Sequence, residues 1–101
     1  MHAYNVVRFR VKPGMEDAFI DGQRVGTEPF IGFEGGALVK TGDRTYCFIG
    51  VWENFDRLAA ARPAMIGMLD KVRSTLEDQG NGLGVTDPVS GEAVLEYPPT
   101  A

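Results

Sequence analysis

Thr45-Tyr46-Cys47-Phe48-Ile49-Gly50-Val51-Trp52-Glu53 is polar only at its two ends. Side chains alternate across a strand, so Tyr46, Phe48, Gly50 and Trp52 point one way and Cys47, Ile49 and Val51 the other. A strand wetted on one side would carry a polar residue at every second position. None is present between the ends, so the stretch predicts a central strand with both faces covered. It also holds the only tryptophan of the chain.

Working outward, Thr41-Gly42-Asp43-Arg44 has the Gly and Asp content of a hairpin loop. It predicts an antiparallel partner strand over Phe33 to Lys40, in which Gly35-Gly36 marks a bulge or a close approach. Ala3 to Val11 is β-branched and aromatic, with Asn5, Val7, Phe9 and Val11 on one face and Tyr4, Val6, Arg8 and Arg10 on the other. Lys12-Pro13-Gly14 ends that strand. Glu16 and Asp17 then open a helix expected from Met15 to Gly26, with Met15, Ala18, Phe19, Gly22 and Val25 as its apolar stripe. Glu28-Pro29-Phe30-Ile31-Gly32-Phe33 is read as a turn docked on the body.

Asn54 is a good N-cap for a second helix, which Pro63 is expected to divide into a short piece through Ala61 and a longer one from Ala64 to about Asp78. Met65, Met68, Leu69, Val72 and Leu76 form its stripe. Gly80-Asn81-Gly82 stops it. Asp87-Pro88-Val89-Ser90-Gly91 reads as a turn, and the last strand is expected over Glu92 to Tyr97.

The order β-α-β-β-α-β gives an α+β class and a ferredoxin-like plan, an antiparallel sheet with two helices on one face. The helices cover one face only, while the central strand is apolar on both. A second copy packed sheet to sheet is the simplest cover, so a homodimer forming an α+β barrel is expected.

The 101 residues are read as one domain, ordered over about 3 to 97. A net charge of -4 disfavours nucleic acid and anionic membrane surfaces, and neither is an expected partner. The lone Cys47 permits no internal disulfide, and Met1-His2-Ala3-Tyr4 resembles no targeting segment. A cytoplasmic protein is the expectation. His2 is the only histidine, which leaves no transition-metal set and no Ser-His-Asp or Cys-His triad.

Gly50-Val51-Trp52-Glu53 before a helix, Val11-Lys12-Pro13-Gly14-Met15-Glu16 and Ile31-Gly32-Phe33 are the residues by which the chain resembles the antibiotic biosynthesis monooxygenase-like family of dimeric α+β barrels. The resemblance covers residues 4 to 97. It implies a ligand cavity between sheet and helices with Trp52 in its wall, no cofactor, and oxygenation of a small aromatic of phenol or enol type. A non-catalytic ligand-binding or stress-type homodimer of the same fold is the alternative. The chain departs from the family pattern in two ways. Phe48 stands where the oxygenases carry an asparagine, and the second helix has no histidine of the kind the haem-degrading members use. An arginine contributed by that helix in the family corresponds loosely to Arg73.

The candidate pocket residues are therefore Trp52, Phe48, Tyr46, Met65, Met68, Leu69 and Arg73, with no catalytic residue assigned. Each has a plainer reading. Trp52 and the methionines also make good core, and a tyrosine at a strand end commonly keeps its hydroxyl wet. Arg8 and Arg10 suit an acidic ligand or pairing with Glu34, Glu53 or Glu96. Cys47 reads as a small buried apolar residue without a basic neighbour. A remote alternative is an RNA-binding domain, since Arg44, Tyr46 and Phe48 have the spacing of base-stacking aromatics on a third strand.

Overall fold

A computed structural model describes residues 1–24 and 30–100. β1 (Ala3–Arg10) leads to α1 (Glu16–Arg24), β2 (Phe33–Gly42) and β3 (Thr45–Trp52). α2 (Phe55–Val72) follows and closes in a 3-10 turn, Arg73–Thr75, before β4 (Asp87–Glu92). The sheet order is β2-β3-β1-β4, antiparallel throughout, the ferredoxin-like arrangement expected. Each middle strand pairs residue for residue with its neighbour, from Ala3 opposite Trp52 to Arg10 opposite Thr45. A register shift between Phe33 and Gly35 places a bulge at Glu34, just before the paired glycines, and at Gly36 the neighbouring strand comes so close that a Cβ would lie 2.4 Å from the Ile49 carbonyl oxygen.

The apolar faces divide as the alternation requires. Tyr46, Gly50 and Trp52 are buried beneath the helices together with Ala3, Asn5 and Phe9 of β1 and Val11 just beyond its end. Phe19 of α1 sits between Phe9 and Tyr46 with ring centroids 5.2 and 5.3 Å away, and Val11, Val72 and Leu76 complete this first cluster. A second cluster joins Ala3 and Trp52 to Leu58 and Ala61 of α2. α1 reaches α2 so closely at Gly22 that a Cβ there would lie 2.3 Å from Val72 Cγ1.

Cys47, Ile49 and Val51 face the other way. Register aligns Ala37, Ile49, Val6 and Val89 in one row across all four strands on that side. Ile49 is 37%, Val39 41% and Val89 62% exposed, so the described residues of this chain do not cover the face.

Several boundaries differ from the sequence expectation. Pro63 does not interrupt α2, because it lies on an exposed flank where water can take the carbonyl of Ala59 that loses its donor. The helix ends at Val72, not near Asp78, and Leu76 is buried through a β-bridge to Val11 instead of a helical stripe. β4 occupies the segment expected to be a turn. As an edge strand paired only with β1 it tolerates Pro88, which has no N–H to give to a ladder. The segment expected as the last strand instead leaves the sheet after Glu92, with Val94, Leu95 and Tyr97 exposed. Ala18 is exposed and does not join the stripe of α1. The expected end of that helix at Val25 and Gly26, and Glu28-Pro29 of the following turn, lie outside the described residues. Of the three apolar residues in that turn, Phe30 and Phe33 dock on Trp52 at 5.8 and 5.0 Å between centroids. Ile31 stays 73% exposed.

Asn54 caps α2 as expected, its side chain accepting from the Arg57 N–H at 2.9 Å. The β2–β3 turn is tighter than the four-residue loop expected. Arg44 takes a left-handed φ of 56° and is held there by its own side chain, which donates to the Val11 carbonyl at 2.9 Å and to Glu77 at 2.6 Å.

Candidate functional site

The helix-facing side of the sheet carries polar groups at two places. At one end of β3, Tyr46 is only 4% exposed, yet its hydroxyl reaches out between α1 and β2 and donates to Glu16. Lys40 donates to the same carboxylate oxygen at 2.9 Å, with its ammonium 5.8 Å from the centre of the Tyr46 ring. Local structure brings the three together. The Lys12-Pro13-Gly14 turn starts α1 with Glu16 on its inner flank, and β2 lays Lys40 directly opposite Tyr46.

Their protonation follows from the contacts. Glu16 lies below the ordinary carboxylate range because Tyr46 and then Lys40 donate to it. Tyr46 is raised, first by that bond to a carboxylate and then by burial, while Lys40 is raised by its bond to Glu16. At neutral pH the trio is therefore a phenol, a carboxylate and an ammonium. They edge an open groove of about 790 Å³ whose apolar wall is Ile20 and Leu38, with Gln23 and Arg24 further along α1.

At the other end, the Trp52 indole N–H donates to Asn5 Oδ1 at 2.8 Å, and the Asn5 amide points back at Met65 Sδ, 3.8 Å away. Asn5 is 6% exposed and Trp52 1%. Asn5 opposes Gly50 across the ladder, and a Cβ on Gly50 would lie 2.4 Å from Asn5 Oδ1, so the glycine makes room for this amide. Phe30, Phe55 and Leu58 complete the packing around the indole.

The expected pocket residues thus separate. Trp52 and Met65 belong to the Asn5 end, whereas Tyr46, Phe48 and Leu69 belong to the first cluster, and of the seven Tyr46 alone lines the groove. Met68 is half-buried on α2. Arg73 lies beyond the end of that helix and pairs with Asp70 at 2.9 Å on an exposed surface. Sequence reasoning missed Glu16, Lys40 and Asn5 as site residues. The signal for Asn5 was available, as the one polar side chain on a face otherwise made of Val7, Phe9 and Val11. It places a buried amide next to Trp52.

Base stacking on the third strand would need its aromatics on the open sheet face. Tyr46 and Phe48 point under the helices, so that platform does not form. Cys47 is half-buried on the open face, and Arg8 lies directly across from it, a basic neighbour the sequence did not reveal. No helix is long and apolar enough to cross a membrane among the described residues.

No family model matches the sequence, and no curated protein matches it. Solved structures do. A provisionally named antibiotic biosynthesis monooxygenase from Chloroflexus aurantiacus superposes with a TM-score of 0.71 at 14% identity, covering 97% of this chain and 98% of that one. The fold is that of the antibiotic biosynthesis monooxygenase-like proteins. SnoaB, a cofactor-independent oxygenase from Streptomyces nogalater, gives 0.65 at 20% identity, with 97% and 98% covered. A conserved protein from Methanosarcina mazei gives 0.74 at 12% identity, with 91% and 92% covered.

Proposed function

We propose that the protein is a cofactor-independent monooxygenase that takes a small aromatic of phenol or enol type between its sheet and helices and works as a homodimer. The observation that carries this reading is the Tyr46–Glu16–Lys40 trio at the edge of an apolar-walled groove. A substrate hydroxyl can donate to the Tyr46 oxygen while Tyr46 donates to Glu16, so a proton can leave the substrate through Tyr46 to the carboxylate. The Lys40 ammonium offsets the negative charge that remains on the substrate. The electron-rich anion then reduces dioxygen. One oxygen atom enters the product as a carbonyl and the other leaves as water, with all four electrons and the two hydrogens of that water drawn from the substrate. The shared fold with SnoaB supports the reaction class, and the uncovered apolar row Ala37, Ile49, Val6 and Val89 supports the homodimer.

Oxygen consumption with a panel of hydroquinones and polycyclic phenols tests the reaction, with binding followed by fluorescence of the single tryptophan. The expected outcome is saturable uptake that falls about a hundredfold or more in Tyr46→Phe. Binding without uptake would replace it with a second reading, a ligand-carrying homodimer. That reading has its own support: Trp52 is packed at 1% exposure, and Glu16 is already committed to two donors.

A further inference from the structure

The chain leaves the sheet after Glu92, and the arm that follows, residues 93–97, carries three large apolar side chains in the open. Val94 is 94%, Leu95 64% and Tyr97 85% exposed. Single exposed apolar residues are ordinary, but three within four consecutive positions form a strip that water disfavours. The strip is nevertheless tied down. The Ala93 N–H donates to the His2 carbonyl at 2.8 Å and the His2 N–H donates to Glu96 Oε1 at 3.1 Å, while the His2 ring Nδ1 lies 2.8 Å from the same oxygen. The other ring nitrogen pairs with Glu34 of β2 at 2.8 Å. Glu34 and Glu96, which the sequence suggested as partners of Arg8 and Arg10, are thus committed to His2, and polar bonds hold in place an arm whose apolar side chains stay outside.

The arm adjoins the open face of the sheet. Val89 and Gly91 point to that face, and Ala93 continues the same period of two. The row of the face next to the arm is Gly35, Val51, Tyr4 and Gly91, with no charged residue in it, and the uncovered row Ala37, Ile49, Val6 and Val89 comes after it. Four strands, each paired over about six residues, present a face of about 19 by 20 Å, or about 400 Å² in projection. A stable interface buries about 800 Å² on each partner, so apolar surface beside the sheet has room to contribute.

From this geometry we infer that Val94, Leu95 and Tyr97 form a subunit clasp, an arm that packs on a second copy of this chain where the two open sheet faces meet, with His2 and Glu96 holding it in position. The inference rests on the homodimeric reading above and adds to it a contact outside the sheet. An isologous dimer has two such arms, so every change in the arm acts twice. An anionic membrane surface is a poorer occupant, because Glu96 lies within the strip and the chain has a net charge of -4.

Sedimentation equilibrium of the full chain over a dilution series tests it. The unchanged protein should dimerise, and Leu95→Ser/Tyr97→Ser should raise the dimer Kd about a hundredfold or more. Glu96→Ala, which frees the arm and keeps its apolar side chains, should raise it about tenfold and add nothing in the Leu95→Ser/Tyr97→Ser background. Ile66→Ser, at an equally exposed apolar position of α2, should leave it unchanged. Circular dichroism checks that the variants fold. An unchanged protein that stays monomeric throughout overturns the clasp together with the homodimer, whereas a dimer whose Kd is the same in the arm variants overturns the clasp alone. Tighter association of the arm variants would show the arm covering its own sheet, and equal weakening by Ile66→Ser would move the interface to the helices; either result overturns the clasp. A further effect of Glu96→Ala in the Leu95→Ser/Tyr97→Ser background overturns its positioning role.

Discussion

Replacing Gly22 with alanine sets two effects of opposite sign against each other. Alanine in a helix interior is favoured over glycine by about 1 kcal/mol, so on propensity alone the change would stabilise α1. Its Cβ, however, would lie 2.3 Å from Val72 Cγ1, where an ordinary carbon contact is about 3.5 to 4.0 Å. Val72 is 1% exposed and belongs to the first core cluster, so it has no free direction in which to retreat. Overpacking of this kind costs about 1 to 3 kcal/mol. The net expectation is a loss of about 1 kcal/mol in Gly22→Ala. In a Val72→Ala background the clashing methyl is gone, and the same substitution should stabilise by up to about 1 kcal/mol. Urea unfolding followed by Trp52 fluorescence, at one fixed protein concentration, gives both numbers. A Gly22→Ala protein more stable than its parent would refute the close approach of the two helices.

The buried Asn5–Trp52 bond should behave as a coupled pair. Asn5→Leu and Trp52→Phe each leave one buried polar group unpaired at about 1 to 3 kcal/mol, and the double variant should lose less than the sum of the two; strict additivity would show that the bond does not form. On the open face, Ile49→Lys should convert the expected homodimer into monomer in sedimentation equilibrium, and an unchanged dimer would move the interface elsewhere. His2 is raised above its ordinary value of 6.5, first by its bond to Glu96, and Glu96 is lowered by His2 below 4.5. The clamp between them is therefore whole between those two ordinary values. It is lost as pH rises through the raised value of His2 and as pH falls through the lowered value of Glu96. An NMR titration of His2 should show a midpoint above 6.5 that falls back toward it in Glu96→Gln.

The element order and the facing of β3 were legible because period-two alternation without a polar break survives any tertiary context. Asn54 was legible as a cap for a similar reason, since capping is a local bond. The β4 error had a physical source: Asp87-Pro88 and Ser90-Gly91 carry turn chemistry, but an edge strand needs donors on one side only, so local signals mislead there. Leu76 fitted the helical stripe by spacing and is buried by a bridge to Val11, a contact 65 positions away that no window along α2 contains. The site fared worse than the fold. Glu16 resembled an ordinary acidic residue of a first helical turn, and only the pairing of β2 with β3 sets Lys40 and Tyr46 beside it.

Hairpin tips are commonly where a chain accepts inserted sequence or a new pair of termini. The β2–β3 turn of this protein is an exception, because Arg44 binds the exit of β1 through the Val11 carbonyl and the segment after α2 through Glu77. Lengthening that turn would detach both. Gly80-Asn81-Gly82-Leu83 is the better place to open the chain or add a peptide: it is exposed throughout, and the backbone bonds around it, from the Leu83 N–H to the Gly80 carbonyl at 3.0 Å and from the Gln79 N–H to the Gly84 carbonyl at 2.7 Å, close the loop on itself. An affinity peptide carried there would leave the groove, the open sheet face and the Arg44 junction as they are.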